Sequence, residues 1–158
     1  MTEPFDAGAL AVLERQIDEW IGELAAAHDH IAAVDRADDD VVRWFVRMRG
    51  EEKDFTTAWI TLGQRTLRYE TYVMPAPEEN AQELWEHLLR RNDKLTGVHF
   101  SIGAEDAVYL RGALPVSGVD KDAIDQLLGS LYATVEQCFR ALLAIGFASR
   151  FRVAGGDT

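Results

Sequence analysis

Thr56-Thr57-Ala58-Trp59-Ile60-Thr61-Leu62-Gly63-Gln64-Arg65-Thr66-Leu67-Arg68-Tyr69-Glu70-Thr71-Tyr72-Val73-Met74-Pro75-Ala76-Pro77 is the stretch that decides the fold. Its apolar residues recur every second position: Ala58, Ile60 and Leu62 against Thr57, Trp59 and Thr61, then Leu67, Tyr69, Thr71 and Val73 against Arg68, Glu70, Tyr72 and Met74. A period of two is the mark of strands with one buried face. Gly63-Gln64 between the runs predicts a tight two-residue turn with Gly63 at positive φ. Pro75 and Pro77 end the second strand, since proline cannot donate to a ladder.

Upstream, the same period continues from Val41, with Trp44, Val46 and Met48 on one side and Arg43, Phe45, Arg47 and Arg49 on the other. Glu51–Asp54 reads as a charged turn, so three antiparallel strands form a meander. Downstream the period changes. Pro77, with Glu78 and Glu79 in a first turn and Arg90 and Arg91 in a last one, predicts a helix whose ends match its dipole. Leu84, Leu88 and Arg91 trace one stripe of it, widened by Trp85 and Leu89, and Asn92 is the expected left-handed cap. Val98–Ile102 and Ala107–Leu114 read as a second hairpin around Gly103–Asp106.

Leu10, Leu13, Ile17, Trp20 and Leu24 fall three and four apart, so residues 7–27 read as an amphipathic helix with Asp6 as its N-cap. Ile31–Val34 carries at most a short strand. The last helix begins at Asp120 and runs to Gly146 on a broad stripe that includes Ile124, Leu128, Leu131, Val135, Cys138 and Leu142. The fold class is therefore α+β: an antiparallel sheet of about five strands, order αβββαββα, with helices packed mainly on one face.

The chain has 158 residues and a net charge of −11. Residues 1–40 hold eleven acidic residues against two arginines, whereas residues 41–74 hold six basic against four acidic. Such overall acidity argues against a nucleic-acid partner, because phosphate binding needs a clustered basic surface. No apolar run reaches the ~18 residues of a membrane span. The expected setting is cytoplasmic, without a membrane partner. One cysteine excludes an internal disulfide.

The sequence carries no catalytic signature. Ser101, Ser117, Ser130 and Ser149 lie in no nucleophile elbow, and no glycine-rich phosphate loop occurs. Cys138 sits on the apolar stripe of the last helix, where a thiol is inert. His28-Asp29-His30 resembles a metal cluster only in composition, for His87 and His99 stand at no recognisable ligand spacing; these residues read as the polar end of the first helix. No catalytic, cofactor-binding or metal-ligating residue is assigned, and no cofactor is expected. The surface that stands out is the second face of the sheet. Arg43, Phe45, Arg47, Trp59, Arg68 and Tyr72 alternate with the core set, and arginine with aromatics is the composition that interface hot spots favour.

Several segments carry a resemblance. Leu62-Gly63-Gln64-Arg65-Thr66-Leu67, followed by Tyr69-Glu70 and Val73-Met74-Pro75-Ala76-Pro77, is similar to the central hairpin and exit of the YbjN-like family of small bacterial proteins. Leu88-Leu89-Arg90-Arg91-Asn92 with Gly97, Phe100 and Ile102 resembles its helix-to-strand passage. Tyr109-Leu110-Arg111-Gly112, Leu114-Pro115, Asp125 to Gly129 and Phe139 to Phe147 extend the likeness, which covers residues 41–147. The resemblance implies one YbjN-like domain over 1–158 with a flexible tail at 152–158, and the fold of the type III secretion chaperones. Those are small acidic dimers that hold extended segments of client proteins. It thus implies a homodimer, a protein client and no enzyme activity. The alternative is a small-molecule-binding or catalytic α+β domain with a pocket between sheet and helices, walled by Trp44, Trp59, Tyr69 or Trp85.

Overall fold

The computed structural model describes residues 6–155, with side chains to Phe151. Helix α1 (Ala7–Ala27) is capped by Asp6, whose carboxylate accepts from the Ala9 N–H at 2.7 Å. It buries Leu13, Ile17, Ile21 and Leu24. Strands β1 (Ile31–Arg36), β2 (Arg43–Arg49), β3 (Phe55–Leu62) and β4 (Thr66–Met74) follow as an antiparallel meander. After α2 (Ala81–Asn92) come β5 (His99–Ile102) and β6 (Val108–Pro115), then α3 (Lys121–Gly146) and the short α4 (Ala148–Gly155). The sheet has six strands in the order β1-β2-β3-β4-β6-β5, so β6 lies between β4 and β5.

The sixth strand is β1, where the sequence suggested at most a short strand. Its register shifts between Ile31 and Ala33, and that irregularity removes the period of two. Helix α4 takes in residues 152–155 of the expected tail; residues 156–158 lie outside the described residues.

Four local expectations are corrected. The β3–β4 turn spans Gly63, Gln64 and Arg65, closed by Gly63 N–H to Thr66 O at 2.9 Å, and Gly63 does not take positive φ. Glu78 and Glu79 precede α2 instead of forming its first turn. Their backbone N–H groups both donate to Gly146 O, and Asn80 Nδ2 donates to Ile145 O, so this segment satisfies the orphan carbonyls at the end of α3. Their side chains reach α4, Glu78 to Arg150 and Glu79 to Ser149. Asn92 is helical, not left-handed, and its side chain bonds the backbone of Phe100. Leu89 does not widen the buried stripe, being 70% exposed.

The helices share one core with one sheet face. Trp44, Val46, Met48, Ala58, Ile60, Leu67, Tyr69, Val108 and Leu110 meet the buried stripes of α1, α2 and α3 there. Trp44 is the largest fully buried side chain, and its indole N–H donates to Asp18 of α1 at 2.5 Å. Asp18, together with Glu14, also holds Arg36 of β1. Met74 joins the core although it alternates with Val73, because the register shifts between Tyr72 and Met74.

Candidate functional site: the outer face of the sheet

No outer-face side chain joins the core cluster that contains the helices. Strand register orders that face into rows. Arg43 (β2), Thr61 (β3), Arg68 (β4) and Ala113 (β6) form one. Asp35, Phe45, Trp59, Glu70, Arg111 and His99 form the next, across all six strands. Beyond it lie Arg47, and then Tyr72 paired with Tyr109.

The sequence-chosen residues all lie on this face but do not form one cluster. Phe45 and Trp59 meet edge to face at 5.6 Å, and the Arg43 guanidinium sits 5.8 Å from the Trp59 ring centre while its Nε donates to Thr61 at 2.9 Å. Arg47 instead stacks 3.7 Å from the Phe55 ring. Tyr72 packs edge-on against Tyr109, away from Trp59. Phe55, Tyr109 and His99 were not singled out from sequence. Phe55 hides behind the charged turn, and Tyr109 and His99 arrive only because β6 pairs with β4 across the intervening helix.

Arg36, Arg90, Arg111, Arg140, Arg150 and Lys121 each end on a carboxylate. Among the described residues, Arg43, Arg47 and Arg68 end on none, and Arg49 reaches only the Asp29 carbonyl. Three guanidinium groups without a carboxylate therefore share this face with the carboxylates of Asp35 and Glu70. Arg111 donates to Glu70 at 2.6 Å, a cross-strand pair, and to Ser101 Oγ at 2.9 Å. Together Arg43, Trp59, Arg68, Glu70, His99 and Arg111 border a hollow of about 430 Å³.

At one margin of the face the 51–53 turn is fixed by α3. Glu136 accepts the N–H groups of Glu51, Glu52 and Lys53 at 2.5, 3.2 and 3.1 Å. Gly50 is required beside it, since a Cβ there would lie 2.6 Å from the Glu136 carboxylate and 2.3 Å from Lys53 O. Lys53 Nζ donates to the carbonyls of Tyr72 and Val73, and burial pushes its pKa down to about 8.

Of the four walls expected for a pocket between sheet and helices, Tyr69 and Trp85 each line a hollow there, whereas Trp44 and Trp59 do not. Trp44 is packed into the core, Trp59 lies on the opposite face, and Trp85 lines a hollow of about 240 Å³ between α2 and β5 with Leu88, Leu89 and Ile102. A further opening of about 290 Å³, between Tyr69, Gly97 and Leu127, carries no charged side chain. Cys138 is buried, its thiol pushed up to about 11 by desolvation. His28 caps α1 and His30 packs on Tyr132. Among the described residues, no three His, Cys, Asp or Glu side chains are placed to hold a metal, and no helix is long and apolar enough to cross a membrane.

Comparison with known proteins agrees with this architecture. The model of the YbjN family, described as "Putative bacterial sensory transduction regulator", matches residues 16–144. An uncharacterized protein of Mycobacterium tuberculosis is 36% identical over 104 residues, 66% of this chain and 57% of that protein. The chain thus spans little more than half the length of that relative. An uncharacterized protein of Mycobacterium leprae is 32% identical over 126 residues, 80% of this chain and 68% of that protein. Among solved structures, the complex of the Yersinia pestis type III secretion chaperone SycH with a fragment of YscM2 aligns at TM-score 0.53 and 13% identity, covering 77% of this chain and 95% of the matched one. A chain of the ExsC–ExsE complex aligns at TM-score 0.58 and 15% identity, covering 82% and 96%. A chain of the ExoU–SpcU complex from the Pseudomonas aeruginosa type III secretion system aligns at 0.54 and 13%, covering 80% and 96%. The α+β fold is that of the type III secretion chaperones.

Proposed function

The chain belongs to the YbjN family, and from that premise we propose that it is a protein-binding module, acting as a homodimer, whose outer sheet face takes an extended acidic segment of a partner protein. One observation carries this function: a sheet face with no helix over it keeps Arg43, Arg47 and Arg68 off every described carboxylate of an acidic chain and interleaves them with Phe45, Trp59 and Phe55. Guanidinium groups left without carboxylates are donors in reserve for a partner's, and the aromatic rings supply area to desolvate. The fold neighbours, solved with protein partners, support a protein as the bound species. Cys138, buried with its thiol pushed up by desolvation, is not offered to a substrate.

The test is Arg47→Glu combined with Arg68→Glu. Both side chains are exposed, so the melting curve stays in place, while recovery of acid-rich partners from the native bacterium, read by mass spectrometry, falls as steering is lost and repulsion added. Unchanged recovery by a folded double variant refutes the use of this face. Light scattering at two micromolar concentrations gives the mass of two chains; a monomer at both refutes the dimer.

A further inference from the structure

The row Arg43–Thr61–Arg68–Ala113 alternates long and short side chains across four neighbouring strands. Strands two apart in a sheet are separated by about 9–10 Å. Two arginines at that separation, with a threonine between and an alanine beyond, leave space above the short residues and reach into it from both sides. The hollow of about 430 Å³ lies here, with Trp59 on its wall and His99 and Arg111 on its far rim. Its volume falls within the roughly 300–1,000 Å³ of small-molecule sites.

The donors are free where they are needed. Arg43 spends only Nε, on Thr61, which fixes the guanidinium and leaves both terminal nitrogens. The Arg68 side chain makes no hydrogen bond or ion pair among the described residues. The one carboxylate on the rim, Glu70, is held by Arg111 at 2.6 Å. A planar guanidinium pair of this kind matches the oxygens of phosphate or carboxylate, and Trp59 offers an apolar surface beside them.

We propose that the hollow above Thr61 is a binding site for a small organic oxyanion, a phosphomonoester or polycarboxylate with an apolar body, held by Arg43 and Arg68 and walled by Trp59. Binding requires no partner protein, so it stands or falls apart from capture of an acidic segment.

Calorimetric titration of the purified chain with adenosine monophosphate, benzenetricarboxylate, inorganic phosphate and adenosine tests the site. Adenosine monophosphate or benzenetricarboxylate binds, and which of them does identifies the phosphate or the carboxylate chemistry; adenosine does not bind. Arg43→Gln and Arg68→Gln each weaken binding about tenfold or more, whereas Arg47→Gln, on the other side of the Phe45–Trp59 pair, leaves it within about twofold. Trp59→Leu weakens the organic anions and leaves inorganic phosphate unchanged. Circular dichroism accompanies each variant. Should Arg43→Gln lose its fold, Arg68→Gln, which has no partner to lose, carries the comparison with Arg47→Gln. The proposal is overturned if neither organic anion binds at millimolar concentration, if adenosine binds as well as its monophosphate, or if all three arginine variants weaken binding alike.

Discussion

The two faces of the sheet are made by the same strands and differ in every other respect. The inner face puts Trp44, Val46, Ala58, Ile60 and Leu67 against three helices, at or near zero exposure. The outer face, one residue out of step along the same backbone, leaves Trp59 37% and Tyr72 40% exposed and holds arginines that meet no described carboxylate. Side chains alternate strictly along a strand, so a one-residue slip exchanges the two sets. Register therefore does two jobs in this fold: it secures the core and, by the same alternation, assembles the outer lattice.

Substitutions on the two faces separate those jobs. Trp44→Ala is the severest, lowering stability by about 3–5 kcal/mol through loss of a buried aromatic and of the bond to Asp18. Chemical denaturation reads this, and a loss below 1 kcal/mol would mean that the inner face is not the one that holds the fold. Glu136→Ala strands three backbone N–H groups of the 51–53 turn and lowers stability by about 1–3 kcal/mol. Amide exchange should quicken in that turn first; uniform protection would contradict the clamp.

Lys53 marks the boundary between the faces, and its signature is pH dependence. Its folded pKa, about 8, lies below the unfolded 10.5, so the folded chain holds fewer protons between those values. The penalty of burying the charge is full below pH 8 and is relieved as pH rises toward 10.5. The neutral amine still donates to the carbonyls of Tyr72 and Val73. Melting temperatures of wild type relative to Lys53→Met should shift in favour of wild type across that window, and a constant gap would deny the burial. Arg47→Gln comes last, changing stability by no more than about 0.5 kcal/mol. A larger loss would make the outer face a part of the fold's support.

What the sequence made legible was local. Asp6 and the spacing of Leu13, Ile17 and Leu24 placed α1 at its observed bounds, and strict alternation placed the outer-face residues of β2, β3 and β4. Where the backbone departs from regularity, the pattern fails. The irregular register after Ile31 obscured β1, and the one after Tyr72 turned Met74 inward. Asn80, with φ of 56° at the start of α2, displaced Glu78 and Glu79 from the helix. The hollow was out of reach for a different reason. It needs Arg68 beside Ala113 and Glu70 beside Arg111, and that pairing of β4 with β6 is long-range, with no local period to announce it.

Asn92 has a consequence for how this protein meets other chains in a crowded solution. Phe100 stands in the middle of the edge strand β5; its backbone N–H and carbonyl are both engaged by the Asn92 amide, at 2.7 and 3.1 Å. A side-chain amide has the same donor and acceptor as a peptide bond, so the strand meets a counterfeit neighbour that cannot itself pass the ladder on. A strand added at this edge would first have to displace the Asn92 amide from Phe100.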